Sequence, residues 1–146
     1  VILLDAYGLT ALLADELAAG EVSELITEGD VAVVAANLAE AADRLARVHQ
    51  IAVTRTRSAV DTLQQSTDLR LRAVEPAHGW RGAELRAKHY HRTQRPLSLG
   101  DCLLLAATGD DDRLATADPH LLATADEESI GWIALVDSRG RRHGPS

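Results

Sequence analysis

Four carboxylates stand where an apolar segment hands the chain over to a helix: Asp5, Glu40, Asp101 and Asp118. Asp5 ends the run Val1-Ile-Leu-Leu4. Glu40 lies one turn past the apolar segment Val31–Ala35. Asp101 opens the helix that contains Cys102-Leu-Leu-Leu-Ala-Ala107. Asp118 follows Arg113-Leu-Ala-Thr-Ala117 and precedes Pro119, a residue suited to the first helical position. Each acid has a plain structural use. Asp5 can cap the next helix. Asn37-Leu-Ala-Glu40 and Ser98-Leu-Gly-Asp101 both fit a capping box. Glu40 can pair with Arg44 four residues on, and Asp118-Pro119 is an ordinary helix start. Four acids at one rim repel one another, however, and raise one another's pKa values. A hard divalent cation relieves that repulsion, and oxygen ligands favour Mg²⁺ or Mn²⁺ over zinc. Such an ion can polarise a phosphodiester and acidify an attacking water.

The rest of the chain must carry these acids to one place. Apolar runs at 1–4, 31–35 and 113–117 read as buried strands, with further strands at 68–74 and 130–136. Helical patterns fall between them, at 7–13, 21–28, from 37, at 54–65, 76–92, from 98 and from 119. On the helix from 37, Leu38, Ala41, Ala42, Leu45 and Val48 fall on one apolar face. Alternation of this kind predicts an α/β domain with a mainly parallel sheet, and ligands of such sheets bind outside the carboxyl ends of the strands. The length of 146 residues fits one domain, 1–138, with a polar, frayed tail at 139–146.

Composition narrows the function. The single cysteine, Cys102, lies in an apolar run and excludes both an internal disulfide and a cysteine-rich zinc cluster. No stretch is long and apolar enough to span a membrane and no signal peptide opens the sequence, so a cytoplasmic protein without membrane attachment is expected. The net charge of −7 argues against passive coating of nucleic acid. The excess of acids lies in the two ends, while 51–96 is net basic, and Arg55, Arg57, Arg81, Arg86, Lys88 and Arg92 are either phosphate contacts or a solvated face. His89 and His91 lack zinc-site spacing, and no glycine-rich nucleotide loop is present. The one lysine, Lys88, is misplaced for a phosphoacceptor receiver domain, and Tyr7 stands where a haloacid-dehalogenase-type phosphatase needs a second aspartate. Asp110-Asp-Asp112 reads as a solvated turn, and Asp126 as either a surface residue or a further acid of the site.

ILLDAYGLTALL at the N-terminus, NLAEAADRL at 37–45, LSLGDCLLLAAT at 97–108 and LATADPHLL at 114–122 together resemble, in order and spacing, the four acidic motifs of PIN-domain proteins, and within them the VapC toxins of toxin–antitoxin pairs. The resemblance implies a PIN-like three-layer α/β/α fold with a parallel five-stranded sheet. It implies Mg²⁺- or Mn²⁺-dependent endoribonuclease activity on structured RNA such as tRNA or rRNA, leaving a 5′-phosphate and a 3′-hydroxyl. A VapB-like antitoxin and a homodimer are the implied protein partners. Carried over by motif, the metal-binding and catalytic acids are Asp5, Glu40, Asp101 and Asp118, with Ser98 and Thr116 at positions that orient them. Gly8 and Gly100 depart from the family pattern, which often has Ala or Ser there. The alternative is a catalytically weak binding module on the same fold, acting through a protein partner or dimer. Leu12, Leu13, Leu17 and Val22 would then be exposed for docking.

Overall fold

The structure, a computed structural model, describes residues 1–145. Its elements run β1 (Ile2–Leu4), α1 (Ala6–Leu13), α2 (Ala19–Glu28), β2 (Val31–Val34), α3 (Ala35–His49), α4 (Val53–Ser66), β3 (Arg70–Arg72), α5 (Pro76–His89), α6 (Leu99–Ala107), β4 (Arg113–Thr116), α7 (Pro119–Glu127) and β5 (Gly131–Ala134). The five strands form one sheet in the order β3-β2-β1-β4-β5, and every neighbouring pair is parallel. The expected three-layer α/β/α architecture with a parallel five-stranded sheet is therefore present.

The continuous apolar strands follow from burial on both faces. Leu4, Val31, Val33 and Ala115 turn to one side, where Leu9, Val22, Ile26 and Ala41 of α1, α2 and α3 cover them. Leu3, Ala32, Val34 and Leu114 turn to the other, against Leu85, Leu104, Leu105 and Leu121 of α5, α6 and α7. The register Leu3↔Ala32, Leu4↔Val33 and Leu4↔Ala115 keeps these two sets in phase. With no Phe or Met in the chain, Leu, Val, Ile and Ala fill both layers.

From β1 the chain moves outward through β2 to β3, then crosses back to place β4 and β5 on the other side of β1. The strand order thus reverses between β1 and β4, and the crevice of an open parallel sheet forms at such a switch point, beyond the carboxyl ends of the strands. Asp5 follows β1 and Asp118 comes two residues after β4, so the topology sets both acids at that crevice.

Several local expectations change. Helix α3 begins at Ala35, directly on the end of β2, so Asn37 lies inside its first turn and is not its cap. Asn37 is fully buried, whereas Val48, expected on the apolar face, is exposed. Strand β3 is shorter than 68–74, and as an edge strand it leaves Leu71 exposed. Val22 is buried in the core and offers nothing for docking, although Leu17 is 64% exposed.

The C-terminal tail does not fray as expected. Val136 bridges Arg142, and Asp137 accepts hydrogen bonds from the backbone N–H groups of Arg139 and Arg141, ion-pairs with Arg141 and contacts the His143 ring at 2.9 Å. Arg142 reaches the Ala134 carbonyl and Glu21. Residue 146 of the expected tail lies outside the described residues. No helix among the described residues is long and apolar enough to cross a membrane.

Candidate metal centre

Asp5 is the most deeply set of the four acids, 4% exposed. It caps α1 as expected: Gly8 N–H donates to its Oδ1 over 2.7 Å. The hydroxyl of Thr116, at the end of β4, donates to Oδ2 over 2.5 Å. Gly8 is fixed by crowding, since a Cβ there would lie 2.4 Å from Leu4 Cδ1. Burial pushes the Asp5 carboxyl up to about 7, against the two hydrogen bonds, and the charges of Asp101 and Asp118 add to the rise.

Thr116 also accepts the Asp118 N–H over 3.0 Å, so one hydroxyl ties the first acid to the backbone of the last. Asp118 caps α7, its Oδ1 accepting from His120 N–H over 2.8 Å with Pro119 in the first turn. Asp101 completes the capping box at the start of α6. Its Oδ2 accepts from Ser98 N–H over 2.8 Å, while its own N–H donates to Ser98 Oγ over 3.0 Å. Burial raises its pKa, and the charge of Asp118 raises it further.

Glu40 arrives from α3. The Ser98 hydroxyl donates to its Oε1 over 3.2 Å, and the Asn37 amide donates to its Oε2 over 3.3 Å. The expected capping box at Asn37 is replaced by this side-chain contact, and the expected Glu40–Arg44 pair does not form among the described residues. Burial raises the Glu40 pKa, and the charge of Asp101 adds to it. Gly100 makes room: a Cβ there would fall 2.3 to 2.5 Å from the Glu40 carboxylate atoms. A Cβ at this position would make the Glu40 carboxylate, the mobile end of its side chain, shift from the place it takes here.

The four acids form one electrically coupled rim in which Asp101 senses Asp118, Asp5 senses both, and Glu40 senses Asp101. The capping uses are real and coexist with this coupling. Among the described residues no three His, Cys, Asp or Glu side chains already converge closely enough to hold an ion. Each acid is held by its own cap or hydroxyl hydrogen bond. The donor set is nonetheless chemically suited to a hard divalent ion, being made of carboxylates. The space left at Gly100 lets Glu40 reach the rim from a second helix.

Beside the rim lies an open cavity of about 570 Å³, lined by Ala6, Tyr7, Glu40, Asp43, Arg44, Arg47, Ala117, Asp118, Asp137 and Ser138. Tyr7, Arg44, Arg47 and the Asp137 loop were not among the sequence candidates. The spacing from Glu40 to Arg44 is the signal that points to this arginine, since residues four apart share a helix face.

The basic candidates from 51–96 are differently employed. Arg81 and Lys88 pair with Glu128 at 2.7 and 2.5 Å, and Arg86 stacks over Tyr90 at 4.2 Å. Arg55 and Arg57 line separate pockets along α4, and Arg92 is exposed beyond α5. His89 is buried against Glu127 and Glu128. Asp126 is exposed and accepts from the Trp132 indole, away from the cavity-lining set. Asp112 is not a free surface acid. It pairs with Arg72 at 2.7 Å and accepts from the Gly109 N–H over 3.0 Å, and despite a burial penalty these contacts hold its carboxyl below the ordinary value. Cys102 is buried, and burial pushes its thiol up to about 11, as an inert core cysteine requires.

No family model and no curated protein matches the sequence. Solved structures do. VapC20 of Mycobacterium tuberculosis, described as a sarcin–ricin loop cleaving toxin, superposes with a TM-score of 0.56 at 20% identity, over 74% of this chain and 81% of that one. A toxin–antitoxin complex from Klebsiella pneumoniae gives 0.60 at 21% identity, over 81% and 87%. VapBC2 of Rickettsia felis, bound to a DNA fragment from its promoter, gives 0.63 at 13% identity, over 92% and 98%. Over most of its length the chain is structurally similar to the VapC and FitB PIN-domain toxins, and its fold is the PIN-like α/β fold they share.

Proposed function

We propose that this protein is a divalent-metal-dependent endoribonuclease, the toxin of a toxin–antitoxin pair. The observation that carries this reading is the coupled rim of Asp5, Glu40, Asp101 and Asp118 at the switch point of the sheet, beside an open cavity. In this reading the four carboxylates hold the ion. A bound Mg²⁺ or Mn²⁺ supplies charge stabilisation to the phosphodiester and acidifies water.

The chain supplies orientation. Thr116 fixes Asp5 and the start of α7 through one hydroxyl, and Ser98 does the same for Glu40 and the start of α6. Glu40 is the acid that takes the proton of the attacking water, because it reaches the rim on a longer side chain and is only half-buried. Its raised pKa suits that exchange. A phosphorus–oxygen bond forms to that water as the bond to the 3′-oxygen breaks, and the 3′-oxygen takes up a proton from solvent, leaving a 5′-phosphate and a 3′-hydroxyl. The toxin–antitoxin complex among the similar structures supports an antitoxin partner here. The exposed apolar side chains Leu17, Val48, Val53, Trp80 and Leu99 are material for that contact and for a homodimer in the cytoplasm.

Incubation with total RNA and Mn²⁺ tests the proposal. Discrete fragments are expected, disappearing with EDTA. Asp5→Asn and Asp101→Asn should be slower by roughly a hundredfold or more, the scale on which losing a charge-stabilising group acts. Cleavage at the wild-type rate by both variants contradicts the proposal.

A further inference from the structure

The cavity beside the carboxylate rim contains more than the rim needs. Of its ten lining residues, Glu40 and Asp118 belong to the four acids, and the rest form a wall with its own chemistry. Two of its acids are already neutralised. Asp43 pairs with Arg47 at 2.8 Å, and Asp137 is taken up by Arg141, His143 and the turn N–H groups. Arg44 is the exception. It is exposed, lies one helical turn beyond Glu40 on the same face of α3, and has no ion-pair partner among the described residues. A guanidinium left uncommitted beside an acidic rim keeps all its donors for a ligand, and its planar fork matches a phosphate.

Tyr7 supplies the second element. Its hydroxyl donates to the Val136 carbonyl over 2.8 Å, which anchors α1 to the segment after β5; the half-buried side chain packs in part against the apolar core and in part lines the cavity. An aromatic ring held at a groove wall is a stacking platform for a base, and an adjacent cation follows the backbone.

We propose that this cavity is the subsite for the nucleotide adjoining the cleaved bond of a single-stranded RNA segment, with Arg44 contacting a phosphate and Tyr7 stacking a base. This rests on the RNA-cleaving reading above, and binding separates the two. Affinity is measured by fluorescence anisotropy of a short labelled single-stranded RNA on the full chain, in EDTA and over a range of salt. Cleavage is measured on total tRNA with Mn²⁺.

Arg44→Ala is expected to weaken binding and to lower the salt slope by about 0.7, the share of one single-strand phosphate contact. Arg44→Lys should restore most of that slope. Tyr7→Leu is expected to weaken binding roughly five- to a hundredfold, whereas Tyr7→Phe, which keeps the ring but loses its anchor at the Val136 carbonyl, should retain most of the affinity that Tyr7→Leu loses. In cleavage, Arg44→Ala should raise KM with little change in kcat. Arg70→Ala, whose side chain pairs with Asp30 at the opposite end of the strands, serves as the unaffected control.

Unchanged RNA affinity and salt slope in Arg44→Ala, with a wild-type melting temperature, overturns the subsite. So does an equal loss for polyglutamate and RNA, which makes Arg44 a general anion contact or a dock for acidic peptide. Absence of cleavage by the wild type, with the binding differences intact, counts against the nuclease reading and leaves the RNA subsite standing.

Discussion

Asp5 concentrates the electrostatic cost of the site. Its carboxyl is held at about 7, above the ordinary value of 3.8, chiefly by burial and then by Asp101 and Asp118. The folded state therefore binds this proton more tightly than the unfolded chain. The resulting stabilisation is complete below about pH 3.8 and is lost as pH rises through about 7. In the absence of metal, this group alone makes the protein less stable across that window by on the order of 4 kcal/mol. Asp5→Asn should flatten that part of the pH profile in urea melts, and parallel profiles for the two proteins contradict the assignment. At this level much was readable from the residues. The places of the four candidate acids after apolar runs singled them out, the structure couples them electrically along one rim, and the Ser98–Asp101 box formed as its spacing foretold. Arg44 was signalled only by its four-residue spacing from Glu40, and the places of Tyr7 and Asp112 were not legible, because an ion pair or a shared cavity depends on which distant elements meet. Asp112 looked like a surface acid until Arg72, forty residues away, was placed beside it.

Each acid is positioned by the start or first turns of a helix: Asp5 by α1, Glu40 by α3, Asp101 by α6 and Asp118 by α7. Hydrogen bonds that satisfy helix ends therefore also hold the rim, so the capping of a carboxylate is compatible with the metal-binding role proposed for it. Ser98 links two of these helices, capping α6 while donating to Glu40. Ser98→Ala is expected to cost about 1 kcal/mol as a lost cap. It should also weaken metal-dependent RNA cleavage more than that loss explains, since Glu40 is released. Ser98→Thr should recover both, and a variant that loses stability but keeps full activity removes the linking role. Element types followed from periodicity, whereas boundaries shifted where a helix continued straight from a strand. The Asn37-to-Glu40 spacing imitates a capping box, yet α3 begins at Ala35 because the chain turns at the end of β2 and Asn37 is carried into the core.

The parallel sheet with apolar strands was legible from strand composition, since only burial on both faces tolerates such runs. The order β3-β2-β1-β4-β5 was not legible from the pattern alone, and it is this order that brings residues 5 and 118 to one crevice. The folded tail was also hidden, because its polar residues satisfy one another and Glu21 without an apolar pattern. The molecule as a whole then presents one acidic rim with a cavity beside it, and the account stands on that rim accepting a cation. Thermal melting of the full chain at pH 8, with and without millimolar Mn²⁺, tests this most directly. An ion present at about a hundredfold its dissociation constant adds about 2.7 kcal/mol to the folded state. The account predicts a clear rise in melting temperature for the wild type and little or none for Asp101→Asn. No rise in the wild type, or an equal rise in both proteins, contradicts it.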